Sequence, residues 1–149
     1  MSRTAFLLIN MALAFYNTGM IWVHEVDIFP RWKLMETGTF NKVREAHWKD
    51  LPFLVFIPVG LGFTGSVILL WYHPDGSPAW ATWGNFLCQL CSHVLTLIYW
   101  GRWQANISPV LGPRDPLLDK IIRTHWVRTT LITAYALIFL VWAILVCNS

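Results

Sequence analysis

Four apolar runs dominate the chain, at roughly residues 4–23, 51–72, 81–99 and 129–146, separated by stretches that hold nearly all the charge. At a rise of about 1.5 Å per residue, helical runs of this length cross a hydrocarbon core of about 30 Å. None shows the alternation of a barrel strand, and in lipid a helix satisfies its own backbone polar groups. The pattern therefore predicts an all-α protein, a four-transmembrane-helix up-down-up-down bundle. With their polar ends the helices take residues 4–29, 39–72, 81–104 and 116–147, and one integral membrane domain fills 1–149. Arg3 ahead of the run through Met11 and Ala14 has the look of a signal peptide, but the run continues to Val23 and reads as a retained helix.

Composition agrees with a bilayer as the solvent. The chain is 56% hydrophobic and only 13% charged, with a mean hydropathy of +0.49, far from the balance of a soluble domain. Of eleven Lys and Arg residues, Arg31, Lys33, Lys42, Arg44 and Lys49 lie between the first two helices, and Arg102, Arg114, Lys120, Arg123 and Arg128 lie in or beside the stretch between the last two. The connection His73–Pro78 has none. The positive-inside rule then puts both long connections in the cytoplasm and both termini outside, in the cell (inner) membrane. Topology accounts for the net charge of +3, so no nucleic-acid partner is implied and anionic lipid headgroups suffice.

Two stretches resemble one another. Glu25–Pro30 (EVDIFP) is followed by His47 and Trp48, and Gln104–Pro109 (QANISP) is followed by His125 and Trp126 at nearly the same interval. Glu answers Gln, Asp answers Asn, and Ile, Pro and His-Trp are identical. The match describes either a duplicated helical hairpin or a short coincidence in a Trp-rich chain. As a duplication it brings Glu25, His47, Gln104 and His125 together at one end of the bundle. Helix boundaries point the same way. Asp115 before Pro116 is an N-cap followed by proline at the first helical position, which starts helix 4 ahead of Asp119, His125 and Arg128. Thr39 or Asn41 starts helix 2 ahead of Arg44, Glu45 and His47, with Pro52 and Pro58 expected to kink it.

Several chemistries fit these residues. Glu25, His47 and His125 form a minimal two-histidine, one-carboxylate set for a transition metal, and bundles commonly hold metal ligands on facing helices. The Glu-x-x-His pair of di-iron proteins is missing, because Glu45 and His47 diverge on a helix. His47 and His125 also suit axial haem ligation, though no haem motif is present. Without a cofactor, His47 or His125 is a general base, with Gln104 and Arg128 holding a substrate oxygen. Against all of these stands a structural role: polar residues at helix ends satisfy backbone groups or snorkel, and Trp48, Trp103 and Trp126 form an interfacial belt. Deeper polar residues, Asn10, Asn17 and His24 on helix 1 and His93 with Trp100 and Gln104 on helix 3, are either functional or interhelical glue. Cys88 and Cys91 have the CxxC spacing of membrane disulfide and quinone-linked oxidoreductases, but only Cys147 remains to form a second pair, and free thiols acting as small hydrophobes fit better.

The combination of a polar residue and proline ending helix 1, His47-Trp48 opening helix 2, Trp103-Gln104 with Pro109 after helix 3, and His125-Trp126 with Arg128-Thr129 opening helix 4 resembles the anthrone-oxygenase-like family of small four-helix membrane proteins. The resemblance implies oxidation of a lipophilic, electron-rich substrate with molecular oxygen near His47 and His125, without a metal or organic cofactor. The leading expectation is thus a membrane-embedded oxidoreductase or oxygenase acting on a small hydrophobic substrate at a cytosol-facing site between the helices. A haem- or metal-binding electron-transfer component is the second. The third is a non-enzymatic small subunit of a larger membrane complex or a homo-oligomer.

Overall fold

The computed structural model describes residues 1–148 as an all-helical protein of four long helices. These are α1 (Arg3–Lys33), α2 (Thr37–Leu69), α3 (residues 79–105) and α4 (Pro116–Cys147). Among the described residues there is no strand. Three of the four, α1, α2 and α4, are long and apolar enough to cross a membrane, where the sequence led us to expect all four. The exception has a physical reason: α3 carries Thr82, Asn85, Gln89 and Ser92, and it buries all four against its neighbours. In the three apolar helices only 28% to 33% of the most hydrophobic window is buried within the chain. Most of their apolar surface therefore faces outward, which is the signature of a bundle solvated by hydrocarbon.

Local chemistry sets the helix starts. Asp115 accepts the amide of Leu117 through Oδ1 and that of Ser108 through Oδ2, so the expected cap of α4 also ties down the preceding loop. Helix α2 begins at Thr37, earlier than the expected Thr39 or Asn41, and Asn41 instead donates to the carbonyl of Pro109.

Three of the helices widen into a single π-helical turn, at His24–Ile28 in α1, Pro52–Phe56 in α2 and Thr96–Trp100 in α3. In α2 the cause is visible in the sequence. Pro52 has no N–H to close an ordinary helical turn, so the bonding shifts and the amide of Ile57 donates to the Pro52 carbonyl. The irregularity expected at Pro52 takes the form of a bulge. In α3 the amide of Gly101 donates to the Thr96 carbonyl, and a Cβ there would sit 2.9 Å from that oxygen.

Two apolar cores hold the bundle. One joins Leu7 and Ala14 of α1, Leu69 of α2, Ala81 of α3 and Tyr135, Phe139 and Trp142 of α4. The other joins Phe29 and Trp32 of α1, Phe40 of α2, Ile107 and the first turns of α4 at Leu118 and Ile121. Around this second core the two long connections are laced together. Lys33 pairs with Asp119 and donates to the Pro113 carbonyl, while Arg44 donates to that of Ile107. At the other end Arg3 pairs with Asp75, Tyr72 donates to the Met1 carbonyl, and Trp142 donates to Ser77.

Candidate functional site

Between the two cores, where the π-helical turns fall, the helices stand apart around a cavity of about 380 Å³. Each helix contributes a wall: Asn17 to His24 from α1, His47 to Val59 from α2, Thr96 to Asn106 from α3 and His125 to Ile132 from α4. Helices α2 and α3 pack on each other through Ile57–Leu69 and Ala79–Leu95, and the cavity occupies the gap between their other halves. Phe56 and Leu97 line it and are 50% and 72% exposed, so it opens sideways on the outer surface of the bundle. Bulged helical turns recur at functional sites because they re-aim side chains and carbonyls. Here they border one cavity from three helices.

The sequence-predicted residues separate into two groups. His47, Gln104, His125 and Arg128 all line the cavity. Glu25 does not; it stands behind His125, whose Nδ1 lies 2.6 Å from Glu25 Oε2. Thr129 donates to the same oxygen at 2.9 Å. Both members of the pair are buried, His125 within a cage formed by Phe29 and Trp100. With Glu25 ionised, the carboxylate only accepts, so Nδ1 carries the proton of this bond and Nε2 is left as the second ring nitrogen. A carboxylate fixing the tautomer and orientation of an imidazole is the arrangement that prepares a histidine base.

His47 has a different setting. It is half-buried, and its ring packs edge-on against His24 and Trp32 with both centroids at 5.2 Å. His24 is fixed in turn by Nδ1 at 2.7 Å from the Met20 carbonyl. The metal set expected from Glu25, His47 and His125 is thus not assembled. Among the described residues no three His, Cys, Asp or Glu side chains are placed together to hold an ion. The reason is that the Glu25 oxygen is turned to His125 and Thr129, while His47 faces His24 rather than the carboxylate.

Arg128 follows His125 by three positions on α4 and reaches the same cavity. Its Nε is buried without a hydrogen-bond partner, and among the described residues it makes no ion pair. Three contributors were not singled out for the site in the sequence: His24, Thr129 and Asn17. His24 and Asn17 share the inward face of α1 with Asn10 at intervals of seven, and Thr129 lies one helical turn beyond His125, so periodicity held the signal for all three.

The remaining polar candidates lie elsewhere. His93 packs on Phe63 at 4.7 Å, with Nδ1 near the Gln89 carbonyl. Cys88 and Cys91 are free thiols, Cys91 exposed on the outer face. Asn17, Gln89 and Tyr135 converge on Gly62, where a Cβ would meet all three polar side chains within 3.4 Å, and Ser66 donates to Asn85 nearby. Polar side chains from all four helices thus gather here, with both ends of the Gln89 amide and the Tyr135 hydroxyl buried and unpartnered.

Compared with protein-family models, with curated proteins and with solved structures, the chain matches none of them.

Proposed function

We propose that this chain is a four-span up-down-up-down membrane protein that binds a small hydrophobic molecule in the cavity and oxidises it. The observation that carries the reading is the buried Glu25–His125–Thr129 constellation at the wall of a laterally open cavity that also presents His47, Gln104 and Arg128. The lacing of the two long, basic connections at one end, and of the Met1, Asp75 and Trp142 regions at the other, supports the up-down order. The basic connections then face the cytoplasm and both termini face outward. The matched Glu25–Trp48 and Gln104–Trp126 segments are read as diverged halves of a duplicated hairpin.

In chemical terms, His125 Nε2 takes a proton from an acidic C–H or O–H of the bound molecule, and Glu25 stabilises the imidazolium that results. The electron pair left on the substrate is delocalised as an enolate or phenolate, whose oxygen Arg128 and Gln104 hold. Molecular oxygen is the oxidant, an apolar gas that partitions into the same hydrocarbon as the substrate. For an activated methylene the balance is CH2 plus O2 giving C=O plus water. This reaction type accords with the resemblance to the anthrone-oxygenase-like family, and His47 then shares in relaying the proton.

The test is oxygen uptake by the purified protein in lipid nanodiscs, offered polycyclic substrates with an activated methylene or phenolic group. Uptake that requires His125 supports the reading. Absence of uptake for every such substrate, with no displacement of a bound fluorescent aromatic from the cavity, would overturn it and leave a structural subunit.

A further inference from the structure

The cavity is unbalanced in charge. Its lining includes Arg102 at the exposed rim, Arg128 deeper in, and three histidines, but not one Asp or Glu. Arginine keeps its proton in any protein environment, so Arg128 brings a full positive charge to a wall of apolar side chains. Arg128 is half-buried with its Nε shielded from solvent, and a charge held part-way out of water is costly to keep without an accompanying anion. Nothing in the fold supplies that anion. The two buried carboxylates among the described residues are both committed elsewhere, Glu25 to His125 and Thr129, and Asp115 to the cap of α4 and the amide of Ser108. The Nε of Arg128 is left buried and unpartnered.

The other half of the lining is hydrocarbon. Val55, Phe56 and Val59 of α2, Leu97 of α3 and Ile132 of α4 line the cavity with apolar side chains. An elongated molecule entering it from the bilayer would meet apolar side chains along its length and the guanidinium at its leading end.

We propose that the cavity accepts an amphiphile with an anionic head and an apolar tail, drawn sideways from the bilayer between α2 and α3 and anchored head-first on Arg128. This goes beyond the functional reading above, in which Arg128 holds the oxygen of a deprotonated substrate, and rests only on the cavity being a ligand site. The head is a carboxylate or a phosphate, since the planar guanidinium presents Nε and one terminal nitrogen as a parallel pair of donors matched to either. Arg102 at the rim adds positive potential at the entrance but, being exposed, contributes less than the half-buried Arg128.

The experiment uses the full chain in phosphatidylcholine nanodiscs and two photoreactive probes, a sixteen-carbon fatty acid with a mid-chain diazirine and its methyl ester, about equal in length and apolarity. Labelled peptides are mapped by mass spectrometry. The acid should label the α2 and α3 segments around Val55 and Leu97, and the ester about tenfold less, the difference expected for loss of a charge-assisted hydrogen bond. Arg128→Gln should reduce labelling by the acid to the level of the ester, and Arg128→Lys should restore part of it. Competition by unlabelled palmitate against hexadecyl phosphate assigns the head group. Equal labelling of the cavity by acid and ester in the wild-type protein overturns the anionic head while leaving the cavity as a ligand site, and this comparison holds even where Arg128→Gln does not fold. Labelling confined to outward-facing residues for both probes overturns lateral entry and the cavity reading together.

Discussion

His125 Nδ1 and Glu25 Oε2 meet at 2.6 Å across 100 residues of chain, inside the protein and directly behind the wall of the cavity. The geometry gives the two residues separate parts: His125 lines the cavity, and the Glu25 carboxylate is turned to His125 and Thr129. Removing the carboxylate should therefore harm the imidazole more than ligand binding. For Glu25→Ala, turnover should fall by about tenfold or more within the range general-base catalysis commands, with little change in apparent ligand affinity. Glu25→Gln retains an acceptor for the imidazole and should preserve more activity than Glu25→Ala. A raised KM with unchanged kcat in either variant would place Glu25 in direct contact with substrate, contrary to the structure.

The same relationship has a stability consequence. Glu25→Ala leaves His125 Nδ1 buried without its acceptor, at a cost of about 1–3 kcal/mol, and leaves the Thr129 hydroxyl only its long 3.4 Å bond to the His125 carbonyl. Thr129→Val removes one donor and leaves the His125 bond in place, so it should cost only about 1 kcal/mol. Thermal unfolding in detergent micelles should rank the variants in that order, and an equal loss for both would mean that the carboxylate does not hold the two helices together.

The two cavity histidines should not be equivalent. His125→Ala removes the ring that Glu25 orients and should lower turnover by about 10²–10⁴-fold, the span of a positioned acid–base group. His47 has no carboxylate partner and stacks with His24 and Trp32. His47→Phe preserves that ring contact and should retain substantially more activity than His125→Phe. Equal and complete loss in both would favour a shared metal or haem, or two obligatory proton-transfer steps, over a single base.

How much of this was readable from the chain depends on which physical signal carried it. Hydrophobic run length predicted four helices, and the Asp115-Pro116 signature placed the start of α4 correctly because a cap is a local, one-residue event. The matched segments singled out Glu25, His47, Gln104 and His125 as a group, and the structure brings all but Glu25 to the cavity wall. Their partnership was not legible. A carboxylate and two imidazoles suggested a metal, whereas a rotation about α1 turns Glu25 onto His125 and Thr129 instead. Glu25 lies at the start of the π-helical turn at His24–Ile28, which no proline announces within it and whose single extra residue cannot be seen in a periodicity. The irregularity at Pro52 had a visible cause, and its form, a widened turn, was the part the sequence did not specify. The polar residues of α3 were seen, but not that burying them would leave this helix the least hydrophobic of the four.

Topology is tested by accessibility. In a variant with Cys147 replaced by Ser, cysteines at Lys42 and Arg114, both exposed on the long connections, should resist a membrane-impermeant thiol reagent in intact cells and react after permeabilisation. A cysteine at Gly76, in the exposed turn between α2 and α3, should react without permeabilisation. Labelling of Lys42→Cys and Arg114→Cys in intact cells would invert the bundle and move the basic connections outside.

Close helix packing gives the last prediction, and it separates neighbours on one helix. A Cβ at Gly65 would lie 1.6 Å from Asn10 Oδ1, whereas nothing lies within 4 Å of a Cβ at Gly60. The Asn10 side chain is buried and held by its own bond to the Phe6 carbonyl, so it has little freedom to retreat. Gly65→Ala should therefore destabilise by about 1–3 kcal/mol through overpacking. Gly60→Ala should be neutral or stabilising by up to about 1 kcal/mol, since alanine is the better helix former. The clash also predicts its own suppressor. In an Asn10→Ala background the obstructing amide is gone, and Gly65→Ala should recover most of the lost stability, a coupling that a double-mutant cycle read from thermal unfolding measures directly. Additive losses in that cycle would show that α1 and α2 do not approach each other through Asn10 and Gly65.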